Sequence, residues 1–306
     1  MPLRFRIPLR TLLFCLMGGL LAACGGDAPG PQNAPTGLTD DIGTPLPAGP
    51  IRRVVPLAPN VTEILYAIGA GPRVAGVSVA DDYPEAVASL PHFNSYPMDF
   101  EALTALQPDL LVAATQVNNP RDAGLFASLG IPIVYFDFQS VEDVFRVMRT
   151  LGVALDLHAE ADSAASRLES AYRALRARTA AAGSRPSVVF LIGEDPLFSF
   201  GRGSYVHDLI DAAGGTSLTA NIDTPAPTLS EEFVLTAMPD AIAGTLGDRT
   251  AADLARRYPS WGLTPAIEHG RVYSFAPSLF LRPGPRLVEG ATQLAMKLHP
   301  EAFETP

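Results

Sequence analysis

From residue 53 onward the apolar positions fall into short continuous runs, separated by turn residues and by stretches with helical spacing. "RVVPL" (53–57), "RVAGVSV" (73–79), "DLLVAA" (109–114) and "IPIVYF" (131–136) have strand length in the first half, and "SVVFLIG" (187–193) and "RVYSF" (271–275) recur in the second. Between them, "APNVTEILYAIG" places Leu65, Ala67 and Ile68 on one helical face. Asn60 and Glu63 stand there as an N-cap and its reciprocal acid, and Gly69 or Gly71 supplies the stop. Asn119 and Pro120 open another helix that Gly130 closes. "SYVHDLIDAAGG" (204–215) and "GPRLVEGATQLAMKLHP" (284–300) read as helices of the second half. Apolar strands alternating with helices predict an α/β class, with parallel sheets covered by helices on both faces.

Residues 140–182 break that rhythm. "SVEDVFRVMRTLGVAL" is one helical pattern, and a second runs from Asp156 to Ala182 without a Pro or Gly. Ala164, Leu168, Tyr172 and Leu175 share one of its faces. At about 1.5 Å per residue such a helix is a strut of about 40 Å. It divides the chain into an α/β lobe over 51–155, a connecting helix over 156–183 and a second α/β lobe over 184–306. The expected architecture is two Rossmann-like lobes joined by one long, rigid helix.

One phrase is written in both halves. "DFEALTALQPDLLVA" (99–113) and "LSEEFVLTAMPDAIA" (229–243) each place a glutamate, then six residues, then a Pro-Asp pair and an apolar run. Asp99 and Ser230 fit as N-caps. Glu101 and Glu232 then stand at the second helical position, where the helix dipole favours an acid by roughly 0.3–1 kcal/mol. Helix stabilisation alone accounts for each glutamate; it does not account for the repetition.

The N-terminus differs from this body. "MPLRFRIPLR" is basic and "TLLFCLMGGLLAAC" apolar, the order of a secretory signal peptide over 1–23. Residues 25–50 hold six Pro and six Gly and no aromatic, which predicts a flexible tether over 24–50. The formal charge is −10. Without the three arginines of 1–23, 19 bases face 32 acids, a charge of −13 that excludes electrostatic capture of nucleic acid. Both cysteines, Cys15 and Cys24, precede the body, which therefore has no disulfide, thiolate metal site or cysteine nucleophile.

Enzyme motifs are missing as well. There is no G-x-S-x-G, P-loop or G-x-G-x-x-G, and no carboxylate pair with a matching base, so no catalytic residue is named. His92, His158, His207, His269 and His299 show no metal-ligand spacing, so no metal site is named. His92 precedes Tyr96 and is either turned to a cleft or solvated.

Several stretches carry a family resemblance. Leu21-Ala22-Ala23-Cys24 resembles the lipobox of bacterial lipoproteins, in which the cysteine becomes the lipidated first residue. "RRVVPLAPNVTEILYAIGAGPRVAGVSVADDYP", "MDFEALTALQPDLLVAA", "FASLGIPIVYFD" and "DPLFSFGRGSYVHDLIDAAGG" resemble the substrate-binding proteins of ABC importers with a rigid helical backbone. That class serves vitamin B12, ferric siderophores and haem, and the second lobe is most similar to its cobalamin-binding members. The resemblance implies a monomeric protein of the cell envelope, held to the membrane by a lipid anchor. It implies no intrinsic cofactor, and a carried small molecule that is a corrinoid or an iron complex. It implies delivery to a permease dimer with its ATPase, with Glu101 and Glu232 as the two docking acids. For the ligand it implies contact by Pro59, Asn60, Tyr83 in the 78–84 loop, Tyr96, Phe198, Phe280 and Arg282, with Arg286 available near the last helix. Ala80, Ala226 and Ser278 stand where cobalamin binders carry larger or acidic residues, which leaves a siderophore or haem as the alternative cargo.

Overall fold

The structure, a computed structural model, describes residues 37–304. The expected signal peptide, Cys24 and the first part of the expected tether lie outside these residues.

The first lobe alternates as its apolar runs predict. In order come β1 (Val54–Pro56), α1 (Pro59–Ala67), β2 (Val77–Ser78), β3 (His92–Phe93), α2 (Phe100–Ala105), β4 (Leu110–Ala114), α3 (Ala123–Ser128) and β5 (Ile133–Phe136). Two antiparallel helices follow, α4 (Val141–Ala154) and α5 (His158–Ala180). The second lobe contains β6 (Ser187–Leu191), α6 (Tyr205–Ala212), β7 (Thr216–Ser217), α7 (Glu231–Ala237), β8 (Ala241–Gly244), α8 (Ala251–Arg257), α9 (Pro265–Glu268) and β9 (Val272–Ser274). It closes with α10 (Pro277–Phe280), α11 (Leu287–Leu298) and α12 (Pro300–Phe303).

The sheets run β1-β4-β5, β2-β3 and β7-β6-β8-β9, and every pairing between these strands is parallel. The two halves repeat one another in register. Val54 pairs with Leu110 in the first sheet, as Val188 pairs with Ala241 in the second. The repeated Pro-Asp explains the match. Asp109 Oδ2 accepts from the N–H groups of Arg52 and Arg53 at 2.8 and 2.9 Å, just ahead of β1. Asp240 Oδ2 accepts from the Ser187 N–H and Oγ, both at 2.8 Å, at the start of β6. Each aspartate thus ties the entry of one strand to the entry of its neighbour. The helix before it ends on a left-handed residue, Gln107 at φ 48° and Met238 at φ 47°, and the following proline prevents continuation.

Helix α5 is the strut, 23 residues or about 35 Å long. Arg149 of α4 holds one end through Asp162 and Glu169, at 2.9 and 3.0 Å. At the other end Thr179 donates to Ala212 O at 2.9 Å and Tyr172 to Asp208 O at 3.2 Å, fixing α5 to α6. Gly152 lets the α4–α5 hairpin close: a Cβ there would collide with Ala161 Cβ.

The tether expectation is corrected for residues 37–50, which pack onto the first lobe. Asp40 accepts from the N–H groups of Ile42, Thr44 and Tyr135. The Asp41 N–H donates to Tyr135 O at 3.0 Å, and its carboxylate accepts from the Asp137 N–H and pairs with Arg146 at 2.8 Å. Leu46 is buried beneath them. The segment covers the open edge of β5, which would otherwise expose unpaired backbone. Polar ties to a sheet edge order it, where apolar burial alone would not.

Candidate ligand cleft

In a parallel α/β sheet the loops that build a site lie beyond the carboxyl ends of the strands. Here the loops after β1, β4 and β5 face a wall from the second lobe formed by residues 200–205 and 277–283. Two cavities lie between them, of about 470 and 540 Å³. Gln116, Phe200 and Tyr205 line both, so the two are halves of one cleft.

One edge of the smaller cavity is sealed by an ion-pair cluster. Glu63, whose side chain is 2% exposed, accepts from Arg286 Nε and Nη2 at 2.9 and 2.5 Å. Arg282 Nη1 stands 3.6 Å from Glu63 and 2.5 Å from Asp82, and its Nη2 donates to Ala80 O at 3.1 Å. Asn60 Nδ2 donates to Pro283 O at 3.3 Å, and the Arg286 guanidinium lies 4.2 Å from the Tyr83 ring centroid. The capping-box expectation at Asn60 and Glu63 is therefore overturned. Ala58 is the cap residue of α1 without a side-chain bond, and both polar groups turn inward to the second lobe. A buried carboxylate needs a cation more than a helix end needs a cap. Arginine beside Asp82 holds that carboxyl below its usual range.

The back wall is aromatic. Phe280 packs with Phe190 and Phe275, each at a centroid distance of 4.9 Å. Phe200 leans on Phe190 at 6.0 Å and reaches the cavities. The Tyr205 hydroxyl donates to Phe280 O at 2.8 Å, and burial pushes its pKa up, so it stays a donor committed to the protein.

Of the residues expected at the ligand, Pro59, Asn60 and Arg282 line the smaller cavity. Phe280 does not: it is fully buried core, because its helical turn points it into the aromatic cluster. Tyr83 is engaged by Arg286 outside the cavities. Tyr96, 90% exposed after β3, and Phe198, 40% exposed beside Thr228, lie outside both cavity linings. Ala80 and Ser278 line the smaller cavity and Ala226 the larger, so all three small residues widen the cleft. Gln116, Asp137, Gln139 and Phe200 were not anticipated. The signal for the first three is their place just after the apolar runs of β4 and β5.

His92 is exposed, with Nδ1 2.8 Å from Leu90 O, and lines neither cavity. Among the described residues no group of three or more His, Cys, Asp or Glu is placed to hold a metal ion. Glu101 and Glu232 are exposed in the first turns of α2 and α7, whose caps are Asp99 and Ser230 as expected. Each helix leads through a tight turn into a parallel strand. Both glutamates therefore lie at the carboxyl ends of the sheets, the end that carries the cleft.

The chain is 33% identical over 250 residues to a vitamin B12-binding protein of Salmonella choleraesuis, covering 80% of this chain and 90% of that one. It is 27% identical over 264 residues to YvrC of Bacillus subtilis, an uncharacterised ABC transporter substrate-binding lipoprotein, covering 83% and 82%. The apo periplasmic haem-binding protein RhuT from Roseiflexus sp. RS-1 superposes with a TM-score of 0.71 at 25% identity, over 83% of this chain and 100% of that one. A model of the periplasmic binding protein family matches residues 54–279. The chain belongs to the periplasmic binding protein family.

Proposed function

We propose that this protein captures cobalamin or a related corrinoid in the interlobe cleft and delivers it to the permease of an ABC importer. The coarser part follows from the family: it is a periplasmic substrate-binding protein of the type that serves B12, haem and siderophore importers. For the cargo, the chemistry of the cleft supports a corrinoid. Among the described residues no histidine lines either cavity, and the hydroxyl of the lining tyrosine, Tyr205, donates to a backbone carbonyl. The described lining thus offers neither an imidazole nor a free phenol as axial ligand to a metal with an open position. It suits a complex that arrives with its coordination sphere filled. The cavity walls, with Pro59, Val117, Phe200, Pro277 and Leu281, suit a bulky ligand with large apolar faces.

In this reading Glu101 and Glu232 meet the two subunits of the permease from the two lobes, and the protein acts as a monomer. Cys24 carries the lipid that holds it to the membrane. A Cys24→Ser chain recovered from the soluble envelope fraction supports the anchor, and one that stays with the membrane contradicts it.

A second reading, haem or a ferric siderophore on the same scaffold, is favoured by the likeness to the haem-binding RhuT. Parallel titrations separate the two. Binding of cyanocobalamin with no haem binding supports the first; haem binding alone supports the second.

A further inference from the structure

Asp137 leaves the end of β5 and puts its carboxylate into the lining of the larger cavity. Oδ1 accepts from Thr115 Oγ1 at 2.7 Å, from the Phe138 N–H at 3.1 Å and from Gln116 Nε2. Oδ2 accepts from Gln139 Nε2 at 2.7 Å. The residue is held from behind as well: its own N–H donates to Asp41 Oδ2 at 2.7 Å, and its carbonyl accepts from Arg146 Nη2 at 3.3 Å. With Nε2 of both glutamines turned to Asp137, their amide oxygens point away from it. No described residue donates to either oxygen. Gln139 Oε1 faces Gly203 of the other lobe, 3.6 Å from where a Cβ would stand. This part of the cleft therefore presents a carboxylate and two amide oxygens as acceptors, with one N–H of each glutamine committed to Asp137.

The cations nearby do not balance that surface. Among the described residues only Arg282 and Arg202 carry positive charge into the cavity linings. Arg282 is matched by Asp82 and Glu63, and Arg202 by Asp223 at 2.9 Å. An incoming carboxylate would meet Asp137 with no unpaired cation beside it. A primary amide would find acceptors already oriented.

We propose that Asp137, backed by Gln116 and Gln139, is a specificity determinant that selects ligands with N–H donors on their rim over ligands with carboxylates there. The proposal rests on the cleft being the ligand site, and it is independent of which macrocycle enters.

The test compares ligands that differ only in rim charge. Wild type, Asp137→Asn and Gln139→Arg are titrated with cyanocobalamin and with its monocarboxylic acids, made by hydrolysing one peripheral amide. The same proteins are titrated with haem and with its uncharged diamide. On whichever core binds, wild type favours the amide over the most discriminated acid by about 10-fold or more. Asp137→Asn brings that ratio within about 3-fold, and Gln139→Arg, an exposed position that tolerates the change, inverts it. Because the ratio is taken on one variant at a time, a general loss of stability cancels. A ratio unchanged in both variants overturns the proposal and leaves the corrinoid reading intact. The expected ratios on the haem pair, with no corrinoid bound, overturn the corrinoid reading and support the proposal. Failure of wild type to bind any of these ligands overturns both.

Discussion

Glu63 and Arg286 lie 223 residues apart in the chain and form a two-bond ion pair, at 2.9 and 2.5 Å, between the first helix of one lobe and the start of the penultimate helix of the other. Besides the strut α5 and the bond from the Val141 N–H to Asp208 Oδ2 at 3.0 Å, this cluster at the cleft edge ties the lobes together. Removing one partner strands the other's charge. Glu63→Ala is expected to lower unfolding stability by about 3 kcal/mol, the low end for a buried pair because Arg286 keeps some exposure. Replacing both at once, Glu63→Leu with Arg286→Met, is expected to recover most of that loss. Urea unfolding measures both, and a single-variant loss under about 1 kcal/mol would contradict the role given to the pair.

Phe280 and Phe200 sit in one aromatic cluster but differ in what they touch. Phe280 is fully buried, so Phe280→Ala is expected to cost about 3–5 kcal/mol of stability. Phe200 lines both cavities, so Phe200→Ala is expected to cost ligand affinity with a smaller stability loss. Thermal unfolding beside ligand titration separates them. Equal effects from the two variants on both measures would refute the assignment.

The repeated segment makes a paired prediction. Asp109→Ala and Asp240→Ala each remove the acceptor of strand-entry N–H groups and are expected to destabilise by about 1–3 kcal/mol. Charge reversal at the exposed Glu101 and Glu232 is expected to leave folding and ligand affinity unchanged while abolishing uptake in a transport assay. Loss of ligand binding in that double variant would argue against surface docking.

Asp81 gives a pH signature. It is buried within the 78–84 loop, and Oδ1 has no hydrogen-bond partner in the protein. Burial raises its pKa above 3.8, against the opposing hydrogen bonds of Thr62 and Ser78 and the charge of Arg282. A raised native pKa means the ionised form is penalised in the fold. The penalty is present above the native pKa and is relieved as pH falls through it. Asp81→Asn is therefore expected to raise the melting temperature at neutral pH, with the difference closing as pH falls toward about 4. A difference independent of pH would contradict the argument.

The alternation of strands and helices, the long α5 and the caps at Asp99 and Ser230 were legible because each depends on local pattern. What failed depended on partners distant in sequence. Asn60 and Glu63 have the spacing of a capping box, and nothing near them announces Pro283 or Arg286. Phe280 could be named as an aromatic at the right address, but whether it faced the cleft or the core was set by Phe190 and Phe275. Residues 37–50 have the composition of a linker, and only the edge of β5 gives Asp40 and Asp41 their partners. Asp137 was hidden for the opposite reason, being one unremarked acid at the end of a well-marked strand.

Titration of the purified protein with cyanocobalamin, followed by calorimetry and visible absorbance, tests the central claim most directly. Saturable binding of one corrinoid per chain, lost in Phe200→Ala, is the expected result. No binding at about 100 μM ligand, a free energy weaker than about −5.5 kcal/mol, would contradict it.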